Sequence, residues 1–180
     1  VQASDITEIE IHEGAMTTAW VEGSGNGDAC GTSGNGATWD DPNCTTSGTW
    51  QGGGDFSSSD YSATNLGTVN PNTGNGVTHN VTGANLNTTV SGWLTGGTNR
   101  GLVMVPVGTD NGTVSWHARS VGTPSQRPQI VITYTPNGCN GTTTIRDTGA
   151  GEVPDSYIQE DSGGNDNYGT DNRLKGRPES

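Results

Sequence analysis

Short runs of alternating apolar and polar residues predict β-strands along most of the chain. In the run from Ile6 to His12, Ile9 and Ile11 alternate with glutamates and His12, as in a strand with one face in the core and one in water. In the run from Val114 to Ser120, the apolar residues Val114, Trp116 and Ala118 alternate with polar ones. Further strands are predicted at Thr17–Val21, Gln129–Tyr134 and Thr142–Arg146.

Two segments depart from simple alternation. The run from Leu102 to Val107 is apolar on both faces, which predicts a central strand whose pairing stops at Pro106. In the second segment, Val90, Trp93 and Leu94 have the spacing of one buried helical face. This pattern predicts one short helix over 87–94, capped by Asn87 or by the residue after it.

Turn-rich stretches separate these elements. Residues 23–54 contain repeated Gly and Asn-Gly turn signals, and residues 52–75 are only weakly patterned. Loops of this length are uncommon unless they bind something or shield part of the fold. Short strands, turn signals and one helix together predict an all-β fold, an antiparallel β-sandwich of jelly-roll type.

Composition limits the size of the core. The chain has 180 residues, of which 26 are Leu, Ile, Val or Phe and 89 are Gly, Thr, Asn or Ser. So few large apolar residues are typical of disordered chains, but here they fall into strand-length clusters. We therefore expect an ordered domain with a small core and long polar loops. No apolar run is long enough to predict a membrane span.

The charge of the chain is strongly acidic and unevenly distributed. The net charge is -12, and the first 99 residues carry ten acidic residues and no Lys or Arg. A partner with a phosphate backbone would be repelled, so nucleic acid is excluded as a partner. The distribution is typical of a soluble, extracellular or halotolerant surface, and cation binding is the alternative interpretation. We expect an extracellular, cell-surface or secreted protein.

The chain contains three cysteines, an odd number. A disulfide between Cys30 and Cys44 would close a Gly-rich loop and contribute about 3 kcal/mol. Cys139 would then be an inert thiol or would bond to another chain. The Asn-x-Thr sequence occurs five times, close to the chance expectation in so polar a chain, and does not by itself indicate glycosylation. These asparagines are Asn43, Asn80, Asn87, Asn111 and Asn140.

A change of pattern near Pro136 indicates a boundary between residues 1–137, here called the body, and residues 138–180, the C-terminal segment. The C-terminal segment has few apolar residues, among them Ile145 and Leu174, and cannot bury a core alone. It must therefore dock on a body, either its own or that of a neighbouring copy.

Several short motifs resemble the DNRLRE-type extracellular domain. Trp20-Val21-Glu22, Thr38-Trp39 and the stretch around Trp93 are similar to family motifs in the body, as are the runs SWHARS and RPQIVITY. In the C-terminal segment, Asp155-Ser156-Tyr157-Ile158 and Asn167-Tyr168-Gly169 resemble the opening strands of the same family. The resemblance implies a non-catalytic, carbohydrate-binding-module-like β-sandwich in a secreted protein; disaggregatase-related repeats are similar.

The order of these motifs is permuted, because the opening strands of the family here close the chain. Either the chain is one unit of a tandem array cut out of phase, or the C-terminal segment completes the sandwich of the next copy. In the second case, head-to-tail strand addition builds a filament of identical copies, and Cys139 could lock each junction. We expect the following residues to carry this assembly: Ile145, Asp155, Tyr157, Ile158, Tyr168, Gly169 and Leu174.

Polysaccharide binding is the alternative function. The resemblance implies a sugar site of loop aromatics, for which Trp39, Trp50 and Tyr61 are the candidates, unless these rings pin the loops to the sandwich. Calcium is the one cofactor that the sequence suggests. Its candidate ligands are Asp40 with Asp41, or Asp161, Asp166 and Asp171, although no known calcium-binding repeat is present. No motif indicates a catalytic site, so an enzyme is not expected.

Overall fold

The computed structural model describes ten stretches of the chain, and all structural statements below refer to them. They are residues 6–16, 20–24, 28–29, 36–44, 49–71, 76–108, 114–134, 141–145, 166–167 and 173–176. The predictions for Asp155, Tyr157, Ile158, Tyr168 and Gly169, for Asp161 and Asp171, and for Cys30 and Cys139 fall on residues outside these stretches.

The described part of the chain consists mostly of strands, with one α-helix and a single turn of 3-10 helix at Pro124–Gln126. The elements in chain order are β1 (Ile6–Gly14), β2 (Asp28–Ala29), β3 (Tyr61–Val69), α1 (Ala84–Leu94), β4 (Leu102–Gly108), β5 (Val114–His117), β6 (Ile130–Tyr134), β7 (Gly141–Ile145), β8 (Asp166–Asn167) and β9 (Arg173–Gly176).

The largest sheet has three antiparallel strands in the order β3-β1-β4, so β1 is its central strand. In β1, a register shift next to Thr7 places one extra residue between Ile6 and Glu8. This bulge returns Ile6 to the same face as Ile9, and both residues are fully buried. The predicted strand and its inward-facing Ile9 and Ile11 are therefore confirmed.

Each face of this sheet has its own apolar cluster. The first cluster contains Ile6, Ile9, Ile11, Leu66, Val69 and Val114, and it is covered by Val81, Leu86, Met104 and Trp116. The second contains Met16, Ala37 and Trp50, with Trp20, Phe56 and Val103 packed against it. The loop segments 36–44 and 49–60 supply much of the second cluster, so these long loops shield one face of the sheet.

This loop layer corrects the prediction for His12. The alternation of β1 places His12 on the water face, but its side chain is buried under Tyr61, with ring centroids 4.9 Å apart. The two ring nitrogens lie 2.8 Å from the Ser62 carbonyl oxygen and 3.1 Å from Glu10 Oε2. His12 is therefore held in a polar network under the loop layer and does not face water.

Among the described strands, β4 lies at an edge of the sheet and not at its centre, which corrects a second prediction. It is apolar on both faces because Met104 packs against the first cluster and Val103 against the second. The Gly14 N–H donates to the Gly101 carbonyl, which fixes the hydrogen-bonding register of β1 and β4. In this register the backbone N–H and C=O positions of every second residue of β4 point away from β1, and Pro106 is one of these residues. Pro106, which has no N–H, therefore lies on the outer edge and does not end the pairing.

Helix α1 begins earlier than predicted, at Ala84, with Gly83 as its N-cap and no side-chain cap. Its half-buried face contains Leu86, Val90 and Trp93, whereas Leu94 is 64% exposed. The indole N–H of Trp93 donates to Glu13 Oε1 at 2.7 Å, which ties the helix to β1.

Gly67 in β3 lies where the segment before α1 crosses the sheet. A Cβ atom at this position would lie 2.5 Å from Val81 Cγ1, which packs against the first cluster. We therefore expect Gly67→Ala to lower the free energy of unfolding by about 1 to 3 kcal/mol, because Val81 must be displaced. Thermal unfolding followed by circular dichroism measures this change.

Gly92 in α1 provides the matched control, because a Cβ atom there meets nothing within 4 Å. Gly92→Ala should stabilise the protein by up to about 1 kcal/mol through helix propensity. Equal destabilisation by both substitutions would contradict the packing described at Gly67.

Candidate functional site

The first candidate site is formed by strands of the body that pair with strands of the C-terminal segment. Strand β6 pairs with β7, β2 with β8, and β5 with β9, each as a two-stranded antiparallel ladder within the chain. Within the described residues, β5 and β6 have no other ladder partner. In the described part of the chain, the C-terminal segment therefore supplies the ladder partners of β5 and β6, on one edge of each strand.

The β5–β9 ladder is anchored to the main core. In β5, Val114 is buried in the first cluster and Trp116 packs against it, whereas Ser115 and His117 are exposed. The ring of His79 meets Trp116 edge-on, with centroids 5.3 Å apart. These burials confirm the alternation that the sequence predicts for this strand.

The register of this ladder matches the pattern of β9. Leu174 is paired with Trp116, while Arg173 and Lys175 are paired with His117 and Ser115. In this register the apolar residue of β9 is paired with the core-facing residue of β5. A slip by one residue would exchange these faces and place a cation opposite Trp116. The predicted assembly residue Leu174 therefore lies in this ladder.

The β6–β7 ladder includes the predicted assembly residue Ile145. Its register runs without a bulge from Ile130 opposite Ile145 to Tyr134 opposite Gly141. In β6, Ile130 and Ile132 are half-buried and Val131 is 59% exposed, which agrees with the predicted alternation. The predicted strand Thr142–Arg146 is confirmed as β7.

The second candidate site is the aromatic surface of the long loops. The ring of Phe56 lies 6.0 Å from Trp39, 5.0 Å from Trp50 and 6.0 Å from Tyr61, between ring centroids. Two of the three predicted sugar-binding residues, Trp39 and Tyr61, are half-buried and present part of their surface. Phe56 also belongs to this surface. The sequence does not indicate it, because Phe56 lies next to these rings in space and not in the chain.

Trp50 is a correction, because only 4% of it is exposed and it lies in the second cluster. Its indole N–H donates to the Thr38 carbonyl oxygen at 3.1 Å, so the polar edge of the ring is also used internally. Trp50 therefore pins the loops to the sheet and does not offer a face to a sugar.

The aspartates of the loops have mainly structural roles. Oδ1 of Asp41 accepts hydrogen bonds from the N–H groups of Asn43 and Cys44, at 2.8 and 2.9 Å. This turn precedes Cys44, whose φ of 58° is unusual for a residue other than glycine. Cys44 is disulfide-bonded, and both remaining cysteines lie outside the described residues, so its pairing with Cys30 stays a prediction.

Asp60 is fully buried and organises the neighbouring turn. Its carboxylate accepts hydrogen bonds from the Gln51 N–H at 2.6 Å and from the Ser57 N–H and hydroxyl at 2.8 and 3.2 Å. The sequence does not distinguish this aspartate from the others. Its donors, Gln51 and Ser57, lie on opposite sides of the three glycines at 52–54 and meet at Asp60 only in the folded turn.

No cation site is apparent in the described stretches. In these stretches no group of three or more His, Cys, Asp or Glu side chains could hold a metal ion. Of the predicted calcium ligands, Asp41 is engaged by backbone N–H groups, and Asp166 lies in β8, opposite Ala29. The same part of the chain has no helix with the length and apolar character needed to cross a membrane.

Asp40 lies beside other acidic groups. Burial, followed by repulsion from Asp55 and Asp41, raises the pKa of the Asp40 carboxyl above its ordinary value. A raised carboxyl pKa means that ionisation of Asp40 opposes folding above that pKa, and that this cost disappears as the pH falls through it.

Asp40→Asn should therefore slightly raise the thermal midpoint at neutral pH, with a smaller gain at high salt, where repulsion is screened. At a pH below the ordinary aspartate pKa the gain should vanish. Thermal scans at two pH values and two salt concentrations measure it. A gain that is the same at both pH values would contradict the electrostatic cause.

Comparison of the chain with protein-family models, with curated proteins and with solved structures finds no match. The resemblance to the DNRLRE-type domain therefore stays a prediction.

Proposed function

We propose that this protein is a non-catalytic structural subunit of an extracellular or cell-surface filament, assembled head to tail by strand complementation. In this proposal the body, residues 1–137, is an antiparallel β-sandwich of jelly-roll type that lacks strands. The C-terminal segment, residues 138–180, supplies them to a neighbouring copy. The observation that carries the proposal is that β5 and β6 form their described ladders with β9 and β7 of the C-terminal segment.

The ladders of the single chain form within that chain, and the proposal concerns their exchange between copies. An antiparallel ladder requires only that the two strands meet in register, so the same contacts form whichever copy supplies β9. If one chain gives its C-terminal segment to a second chain and the second does not return its own, the pair still has one body without a partner segment and one C-terminal segment without a body. Such a contact does not close, and further copies extend it into a filament.

Charge favours the docking of β9 on a body. The body carries eleven acidic residues against three arginines, whereas the five residues 173–177 carry three cations. Attraction between these charges speeds the encounter of the segment with a body and weakens as salt is added. The attraction is local to β9, because the C-terminal segment as a whole carries eight acidic residues against four cations.

A cysteine pair tests this proposal. Ser115 and Lys175 are paired across the β5–β9 ladder, so Ser115→Cys with Lys175→Cys should form a disulfide under mild oxidation. If the ladder forms between copies, a non-reducing denaturing gel shows dimers, trimers and higher multiples. If it stays within one chain, the gel shows a fast-migrating monomer, and the filament proposal fails.

The matched control moves one cysteine out of register, with His117→Cys and Lys175→Cys. His117 is paired with Arg173, so this pair lies on a diagonal and should form little disulfide. Equal crosslinking of both pairs would contradict the register itself. A chain ending at residue 137 should lose the multiples, as measured by gel filtration of the native protein.

The second candidate function is that of a polysaccharide-binding module in a larger secreted protein. The observation that favours it is the half-buried surface of Trp39, Phe56 and Tyr61, since aromatic faces stack on sugar rings. The acidic charge of the chain favours a neutral glycan over a polyanionic one.

Affinity electrophoresis in gels that contain a neutral polysaccharide tests this second function. Trp39→Ala and Tyr61→Ala should each abolish the retardation, while Trp93→Phe, a change to a half-buried aromatic residue on α1, should leave it unchanged. Absence of retardation of the unsubstituted protein across neutral glucans, mannans and galactans would reject the sugar site.

A further inference from the structure

The segment before α1 presents one Asn-x-Thr sequence in an accessible, extended form. Residues 77–83 are neither helix nor strand, and the side chains of Asn80 and Thr82 are exposed. Between them, Val81 is half-buried and packs against the first cluster and over Gly67. The middle residue thus fixes the segment to the sheet, while the asparagine and the threonine on either side remain in solvent.

Two other asparagines of such sequences lie in the described stretches, and their surroundings differ. Asn87 is exposed but lies inside α1, where the helical backbone does not present an open Asn-x-Thr turn. Asn43 is half-buried, its N–H donates to Asp41, and the next residue is the disulfide-bonded Cys44. A bulky modification fits on the surface, so Asn80 accommodates an attached chain best.

We propose that Asn80 is an acceptor for an N-linked oligosaccharide. The amide nitrogen of Asn80 would attack the anomeric carbon of an oligosaccharide carried on a lipid pyrophosphate. The new carbon–nitrogen bond replaces the carbon–oxygen bond to the pyrophosphate, which leaves with its electron pair, and the amide proton passes to a carboxylate of the transferase. Thr82 supplies the hydroxyl that such transferases recognise.

A glycan at Asn80 would lie beside the β5–β9 ladder. The preceding residue, His79, contacts Trp116 of β5 with its ring, so Asn80 lies one residue from that contact. A hydrated sugar chain at this place covers the flank of the ladder without occupying a position in its register. In nature the modification requires export of the chain, and in this respect the inference rests on the proposed function.

The test uses the full chain secreted from mammalian cells behind an added signal peptide, so it does not depend on natural export or on assembly. Release of glycans by an amidase in heavy-oxygen water converts a glycosylated asparagine into a labelled aspartate, which peptide mass spectrometry locates. We expect the label at Asn80 in most molecules. Unlabelled Asn80 in secreted protein, with glycosylated host proteins in the same medium, overturns the inference.

Three variants sharpen the result. Thr82→Ala should remove one glycan mass from the intact protein, and Thr82→Ser should retain most of it, because the hydroxyl is kept. Asn87→Gln should leave the label at Asn80 unchanged. Retention of the same glycan mass in Thr82→Ala would show that the sugar is attached elsewhere and would also overturn the inference.

Discussion

Asp60→Ala should be among the most destabilising single substitutions in this protein, with a loss of about 3 to 5 kcal/mol in the free energy of unfolding. The Asp60 carboxylate is fully buried and accepts hydrogen bonds from two backbone N–H groups, those of Gln51 and Ser57. Its removal takes away the acceptor that holds these two N–H groups in a part-buried turn, and the loss of both hydrogen bonds opens the turn.

The consequence should extend beyond the turn. Trp50 precedes Gln51 and lies in the second cluster, so opening of the turn releases a large apolar side chain. Chemical denaturation followed by tryptophan fluorescence measures the loss, and near-ultraviolet circular dichroism reports on the packing of the ring. Ser59→Ala, at an exposed position in the same turn, is the control and should change stability by less than about 0.5 kcal/mol.

Glu22→Ala should have the second large effect, a loss of about 3 kcal/mol. Glu22 and Arg119 form an ion pair in which Arg119 Nε lies 2.9 Å from Oε1 and Nη2 lies 2.6 Å from Oε2. Their side chains are 12% and 20% exposed, so water replaces little of the lost contact. The pair ties residues 20–24 to the turn after β5, and its loss loosens both.

A double substitution tests whether Glu22 and Arg119 stabilise the protein as a pair. Glu22→Leu with Arg119→Met replaces both charges by apolar groups and should recover much of the stability that Glu22→Ala loses. Urea denaturation of Glu22→Leu, Arg119→Met and the double variant gives the comparison. If the double variant is as unstable as the sum of the two single variants, the two side chains do not act as a pair.

The strands that the sequence predicts well are those with undisturbed alternation, such as β1, β5 and β6. Strand β3 was missed because two register shifts in its pairing with β1 interrupt the period of two, and because Gly67 stands where a larger residue is usual. The start of α1 was misplaced because the helix has no side-chain cap that a sequence pattern could reveal.

The candidate sites were predictable to different degrees. Leu174 could be predicted as an assembly residue from the C-terminal segment alone, because this segment has few apolar residues and they must be buried against a core elsewhere. The alternation Arg173-Leu174-Lys175 is a further sequence signal for the register, because only one residue of this run is apolar. Trp50 was misassigned because a tryptophan in a polar loop has the same local pattern whether the loop is open or folded over a sheet.

Pro106 limits how the proposed filaments can associate. It lies on the outer edge of β4, where a strand from another molecule would otherwise add to the three-stranded sheet. Without an N–H at this point, such an added strand loses a hydrogen bond in the middle of its ladder. Lateral growth at this edge is therefore disfavoured, and filaments of this subunit should lengthen as single threads and not merge here into thicker bundles.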